Sequence, residues 1–266
     1  MFNLANILTA FNLLCGVFSI VLALHGRIDL APIFILAAFL FDFLDGFVAR
    51  KMGTSGPLGI QLDSLADMVT FGVAPGMIVM VMMVMDVPGF ISNHHYELIQ
   101  FDFNYWLESL IAGNTNYYLP LVALVIPFFS LFRLAKFNID ERQTTSFRGL
   151  PTPAHTAFYL SFPLVLSFDH LTLKENWDLL WWIYDQHFLL IVAVIFSILL
   201  VTELPLFSLK FKTFGWKGNQ IRYLFLLISL GFIIGFGFWA FSLIVFLYLI
   251  LSIIENSILK KEKHEI

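Results

Sequence analysis

Charge is scarce in this chain: Asp, Glu, Lys and Arg make up only 13% of its 266 residues. A soluble domain carries about 25%, so the deficit excludes an ordinary water-soluble globule. Cysteine is scarcer still. Cys15 is the single one, which excludes an intrachain disulfide. It sits inside the first apolar stretch, where a small packed side chain is the expected role. No hydrophilic block is long enough for a separate soluble domain. The first ten residues lack Lys and Arg, and no small-residue cleavage site follows. The first apolar stretch is therefore expected to persist as a helix, not to be removed as a signal peptide. The net charge of −4 says little by itself, and no nucleic-acid partner is expected.

Apolar length is what the chain has in abundance. Hydrophobic residues make up 59% and mean hydropathy is +0.84. Stretches able to cross the roughly 30 Å hydrocarbon layer recur throughout. The expected fold is all-α, a polytopic membrane helical bundle forming a single domain over 1–266. Eight spans are expected, at 3–24, 30–50, 60–85, 117–137, 153–168, 187–202, 222–237 and 238–260. The last two are divided because one helix there would run about 58 Å, roughly twice the hydrocarbon thickness. Gly231, Gly235 and Gly237 offer either a tight turn or a helix-packing face.

The basic residues sort to one side of this arrangement. With the N-terminus inside, the inner ends and loops hold 13 of them, from Arg50 and Lys51 to Lys260, Lys261 and Lys263. The outer side keeps 2, Arg27 and Lys174, which accounts for all 15. That bias predicts a cytoplasmic (inner) membrane protein with both termini inside. The outer loop 86–116 has no Lys or Arg; its stretch Tyr96 to Trp106 is expected to lie flat in the interface. The adjacent His94 and His95 are expected to be solvated, and Trp177 to Tyr184 to form an interfacial aromatic belt.

Against this apolar background stands one charged string. Asp42-Phe43-Leu44-Asp45-Gly46-Phe47-Val48-Ala49-Arg50 is followed, after eight residues, by Gly59, Asp63 and Asp67. Asp42 and Asp45 are three apart near the inner end of the second span, and Asp63 and Asp67 four apart at the start of the third, so each pair shares a helix face. Gly53, Gly56 and Pro57 supply the turn between them. Ionisable groups near a bilayer are costly and mark function by default. Four gathered carboxylates repel unless protons or divalent cations intervene. Oxygen ligands without His or Cys suit Mg²⁺ or Mn²⁺ better than zinc, and Mg²⁺ commonly completes its shell with substrate phosphates. A diphosphate substrate fits this arrangement. Gly46 and Ala49 leave room for a planar group, and Gly59 for close helix approach. Arg50 suits a phosphate or a motif carboxylate. Thr54 and Ser55 add hydroxyls beside backbone N–H groups. On the first helix Asn6, Thr9, Asn12, Gly16 and Ser19 form a small and polar stripe, compatible with nucleotide contact or with helix packing.

Written as DxxDGxxAR, x8, GxxxDxxxD, the string is the signature of the CDP-alcohol phosphatidyltransferases, and the resemblance covers roughly residues 1–165. At about 5% per residue type, the eight specified positions would coincide by chance less than roughly once in a billion starting points. The resemblance implies that Asp42, Asp45 and Asp63 hold metal on the CDP diphosphate. Asp67 would be the general base, also touching metal. Asn6, Thr9, Gly46, Ala49, Arg50, Thr54, Ser55 and Gly59 would contact the nucleotide. A homodimer is also implied. The segment 166–266 would add transmembrane helices that enclose lipid chains.

Further strings resemble the membrane phosphatidylserine synthases within that family: Gln61 to Asp67 running into Thr70-Phe71-Gly72-Val73-Ala74-Pro75-Gly76, Phe132 to Asn138, and Phe147 to Ala154. The implied reaction joins CDP-diacylglycerol to L-serine, giving phosphatidylserine and CMP. Arg133, Lys136, Asn138 and Arg148 are the implied serine contacts, although basic residues here also satisfy the charge bias or bind anionic headgroups. His155 departs from the expected small residue, either tuning the site or capping the fifth span. Two alternatives stand beside this reading. One is a sibling enzyme using glycerol 3-phosphate, inositol phosphate or another alcohol. The other, more remote, is a divalent-cation transporter, which would need ionisable or broken-helix features at the membrane midplane.

Overall fold

The computed structural model describes residues 3–54, 56–85, 103–140, 147–168, 185–209, 215–216 and 218–264. Ser55, His94, His95 and the stretch from Trp177 to Tyr184 lie outside them. The described residues are mostly helical. Helix α1 (Leu4–Leu24) is started by Asn3, whose side chain accepts the Asn6 N–H at 2.7 Å, as an N-cap does. A turn through Gly26 (φ 72°) follows. There Arg27 grips Asp29 through two hydrogen bonds of 2.9 and 2.8 Å, which hold the Asp29 carboxyl below its usual range.

Helix α2 (Ala31–Met52) ends at Gly53, left-handed at φ 64°. Thr54 N–H closes back on Ala49 O at 3.0 Å, the closure expected where glycine stops a helix. Pro57 opens α3 (Pro57–Asp67), a position where its missing N–H costs nothing. The third span is not one regular helix. A π-helical segment, Met68–Val73, separates α3 from α4 (Ala74–Met85). Its wide turn is held by neighbours: Thr156 donates to Phe71 O at 2.7 Å, and Thr70 donates to Asn12 O at 3.1 Å. A Cβ at Gly16 would lie 2.5 Å from Thr70 Oγ1, so a glycine is what allows α1 this close.

Helix α5 (Phe103–Ile111) corrects part of the expected interfacial stretch: Tyr105 is exposed, but Trp106 is buried against Phe103. Two 3-10 turns, Thr115–Tyr117 and Leu119–Leu124, lead into α6 (Val125–Ile139). Strand β1 (Phe147–Arg148), α7 (Thr152–Phe168), α8 (Gln186–Val201) and strand β2 (Pro205–Leu206) follow. The strands pair antiparallel, Phe147 with Leu206 and Arg148 with Pro205, a short exception to the all-α expectation.

The chain ends in α9 (Gln220–Phe236) and α10 (Ala240–His264), parted by Gly237–Trp239. Gly237, at φ 53° and ψ −124°, makes this break. Arg222 lies 3.8 Å from Glu255, and the Phe225 and Tyr248 rings are 5.9 Å apart. The two helices therefore fold back on each other as a hairpin.

At the centre sit α4, buried along all but one of its residues, and α7. A helix apolar around its whole girth belongs in an interior. His155 lies fully buried inside α7, edge-on to Tyr159, and does not cap the helix. The peripheral helices turn large apolar residues outward, as with Phe18 on α1, Ile195 on α8 and Ile234 on α9. Among the described residues, five stretches are long and apolar enough to cross a membrane: Leu4–Leu24, Ala31–Met52, Pro57–Met85, Leu119–Ile139 and Gln220–Ser257. Apolar rims on such helices are the surface of an integral membrane protein.

Candidate active site

The α2–α3 hairpin does what the spacing of its acids demands. Asp42 from α2 meets Asp63 and Asp67 from α3, one carboxylate oxygen of each lying within 4.8 Å of the others. Three oxygens this close, without His or Cys, make a donor set for a hard divalent cation. Asp45 is buried beside them and is held from α1, accepting a hydrogen bond from Thr9 Oγ1 at 2.6 Å. It is not one of the three converging acids. Asn12, one turn further along α1, donates Nδ2 to Asp67 Oδ1 at 3.1 Å. The polar stripe of α1 thus faces inward and orients two of the four carboxylates. Asn12 belongs to the site machinery through that bond; the stripe pointed to it, but no role for it follows from sequence spacing.

Around the acids, the small residues sit where room is needed. Arg50 is exposed and folds back over Gly46; a Cβ there would come within 3.3 Å of its Nη1. Ala49 is half-buried on the same helix. Gly59 faces α1, not α2: a Cβ on it would meet Asn6 Oδ1 at 3.6 Å. Thr54 Oγ1 is buried with no hydrogen-bond partner among the described residues. An orphaned hydroxyl at the mouth of the hairpin is available to a ligand.

A basic region adjoins the acidic one along the seam between α6 and α3. Gly72 abuts Ser130, and Asn138 Nδ2 donates to Ser64 Oγ at 2.9 Å. These two contacts bracket Arg133 and Lys136 at about the height of Asp67. Arg133 is buried, donating Nε to Leu150 O at 3.1 Å and Nη2 to Gly149 O at 3.5 Å, with its guanidinium over the Phe137 ring. Lys136 and Arg148 share one acid, Glu203: Lys136 Nζ bonds its Oε1, and Arg148 Nη1 its Oε2 at 3.2 Å. Nothing in the motifs marks Glu203, which lies in the turn after α8. Its place follows from Gly149, whose N–H donates to Leu204 O at 2.9 Å and whose φ is +77°. A Cβ there would fall 2.4 Å from Leu200 O, so only glycine lets this loop lie on the end of α8.

With this arrangement in view, comparison with known proteins is decisive for the family. The profile of the CDP-alcohol phosphatidyltransferases matches residues 2–201. The chain belongs to that family. It is 32% identical to the CDP-diacylglycerol–serine O-phosphatidyltransferase of Bacillus subtilis over 150 residues, 55% of this chain and 67% of that one. With the enzyme of the same name from Helicobacter pylori it shares 28% over 252 residues, 94% of this chain and 89% of the other. It is also 32% identical to the archaetidylserine synthase of Methanothermobacter thermautotrophicus over 171 residues, 64% of this chain and 61% of that one.

Proposed function

We propose that this phosphatidyltransferase transfers the phosphatidyl group from CDP-diacylglycerol to the hydroxyl of L-serine, releasing CMP and phosphatidylserine. The observation that carries it is the convergence of Asp42, Asp63 and Asp67, in a chain similar along 94% of its length to a serine-using enzyme. Asp67 is the candidate base, held in orientation by Asn12. It takes the proton as the serine oxygen bonds to the phosphorus that carries the lipid, and the bond from that phosphorus to CMP breaks. A positioned base contributes typically about 10²–10⁴-fold to such a step. Mg²⁺ or Mn²⁺, held by Asp42, Asp63 and Asp67 with Asp45 alongside, would neutralise charge on the diphosphate. Asn6, Thr9, Gly46, Ala49, Arg50, Thr54, Ser55 and Gly59 are the proposed nucleotide contacts. Arg133, Lys136, Asn138 and Arg148 are those for serine.

The same reading takes eight spans, with the site and both termini at the cytoplasmic face of the inner membrane. The distribution of basic residues supports the orientation, and the α9–α10 hairpin supports dividing the last stretch in two. The homodimer rests on family likeness. The test is CMP release by purified protein given CDP-diacylglycerol, Mn²⁺ or Mg²⁺, and one alcohol at a time. Release that depends on L-serine is the expected result. Release without serine, or only with glycerol 3-phosphate, would remove the assignment.

A further inference from the structure

Three cations close to a phosphoryl-transfer centre would by themselves suit a phosphate dianion, the ligand that basic clusters recognise best. This cluster is not left as three cations. Glu203 reaches in from the turn after α8 and places one carboxylate oxygen against Lys136 and the other against Arg148. The side chains of Lys136 and Arg148 are each 34% exposed and that of Glu203 52%. Ion pairs so exposed are weakly held and rearrange easily when a charged ligand arrives.

Arg133 is different. It is 2% exposed, and its Nη1 is buried without a hydrogen-bond partner among the described residues. A buried guanidinium N–H in that state calls for an anionic acceptor. The region therefore offers a buried cation with one N–H unsatisfied, although Tyr248 and Asp140 also act on its charge, and, one helical turn along α6, a carboxylate between two cations. That is the pattern of an α-amino acid, carboxylate at one end and ammonium at the other. A carboxylate has about four acceptor sites, enough for an ammonium beside Lys136 and Arg148. The same negative charge repels a phosphorylated alcohol, so one residue attracts the right acceptor and rejects the wrong one.

We propose that Glu203 receives the ammonium group of a zwitterionic acceptor while Arg133 takes its carboxylate, so that Glu203 sets the choice of an amino acid over phosphorylated alcohols. This rests on the serine-using reading above and adds a binding residue from the part of the chain beyond residue 165. The mini-sheet of β1 and β2 and the bond from Gly149 N–H to Leu204 O hold it in place.

The experiment compares full-length wild type with Glu203→Gln, which keeps shape and hydrogen bonding but loses the charge. CMP release from CDP-diacylglycerol is followed with L-serine, with 3-hydroxypropionate (serine without its ammonium group) and with glycerol 3-phosphate. Any acceptor too slow to follow is measured as a competitor of serine. The variant is expected to raise the KM for L-serine about three- to five-fold, the scale of losing one partly exposed charge contact, with kcat little changed. Affinity for 3-hydroxypropionate stays level, and that for glycerol 3-phosphate improves. Equal weakening of serine and 3-hydroxypropionate would show that Glu203 merely braces Lys136 and Arg148, and overturns the proposal. An unchanged preference overturns it too. Wild type that releases no CMP with serine takes down the serine reading itself, whereas normal wild-type turnover with an unaltered preference in the variant removes only the assignment of Glu203.

Discussion

Asp42, Asp45, Asp63 and Asp67 come from two consecutive helices joined by one glycine-and-proline turn. Arg133, Arg148 and Glu203 come from three separate segments, and are brought together by a two-residue ladder and by Gly149 lying on the end of α8. The acidic half is a local construction, in which helix periodicity and a short turn are sufficient to aim the side chains. The basic half depends on long-range packing between α6, the loop before α7 and the turn after α8. Chemistry common to a family can be carried by the first kind of construction, because it moves as a unit. Under the proposed reading, selection of the acceptor falls to the second, where a change in any one segment re-aims the cluster.

The sharpest way to break this contrast is within the acidic half itself. Asp67→Asn is expected to lower turnover by about 10³-fold or more, as loss of a general base does, while CDP-diacylglycerol binding largely persists. Asp42→Asn, which removes a converging acid with no second role, is expected to weaken metal and nucleotide binding as well. Equilibrium binding of CDP-diacylglycerol, measured beside CMP release, separates them. Equal loss of binding in both variants would show that the four acids are not divided between base and ligand.

A smaller effect is expected across the divide, from Arg133→Lys. Lysine keeps the charge but loses the planar fork that spans Leu150 O and Gly149 O, and that exchange is not conservative at a forked site. The KM for serine should rise about 10- to 100-fold, the loss of one to two charged hydrogen bonds, with CDP-diacylglycerol affinity near wild type. A parallel fall in nucleotide affinity would join the two halves into one site and remove the distinction.

The same contrast explains which features could be read before the fold was known. Apolar runs placed α1 and α2 closely, because lipid-spanning length is a property of a single segment. The D-x-x-D and D-x-x-x-D spacings predicted shared faces for the same reason. The π-helical turn after Asp67 was hidden, since it depends on Thr156 and on the fit of Thr70 against Gly16, each far away in sequence. Trp106 closes the stretch expected to lie flat in the interface, and packing against Phe103 buries it. Glu203 carried no signal at all: an acid after a helix is ordinary, and only the β1–β2 pairing brings it to Arg148.

Gly149→Ala probes that pairing directly. A Cβ would lie 2.4 Å from Leu200 O and 2.8 Å from Thr202 O, at a φ of +77° that alanine resists. Backbone strain of this kind costs about 1–3 kcal/mol. The apparent midpoint of thermal unfolding in detergent should fall by several degrees, and the KM for serine should rise by less than in Arg133→Lys. A Gly149→Ala protein with unaltered serine affinity would show that the ladder supports the fold without aiming the basic cluster.

The mildest change is at the Ser64–Asn138 contact between the two halves, a pair of side-chain hydrogen bonds. Ser64 follows Asp63 on α3, and its Oγ lies 2.9 Å from Asn138 Nδ2 near the end of α6. Asn138 is exposed and Ser64 half-buried, so Ser64→Ala exchanges this contact largely for water and should cost only about 0.5–1.5 kcal/mol. If the seam transmits position between the converging acids and the proposed serine contacts, the loss should appear as a rise of a few-fold in the KM for serine with kcat and CDP-diacylglycerol affinity unchanged. If kcat falls instead, the bond is positioning Asp63 and its neighbour Asp67, and the acidic half is less self-contained than its short spacing suggests.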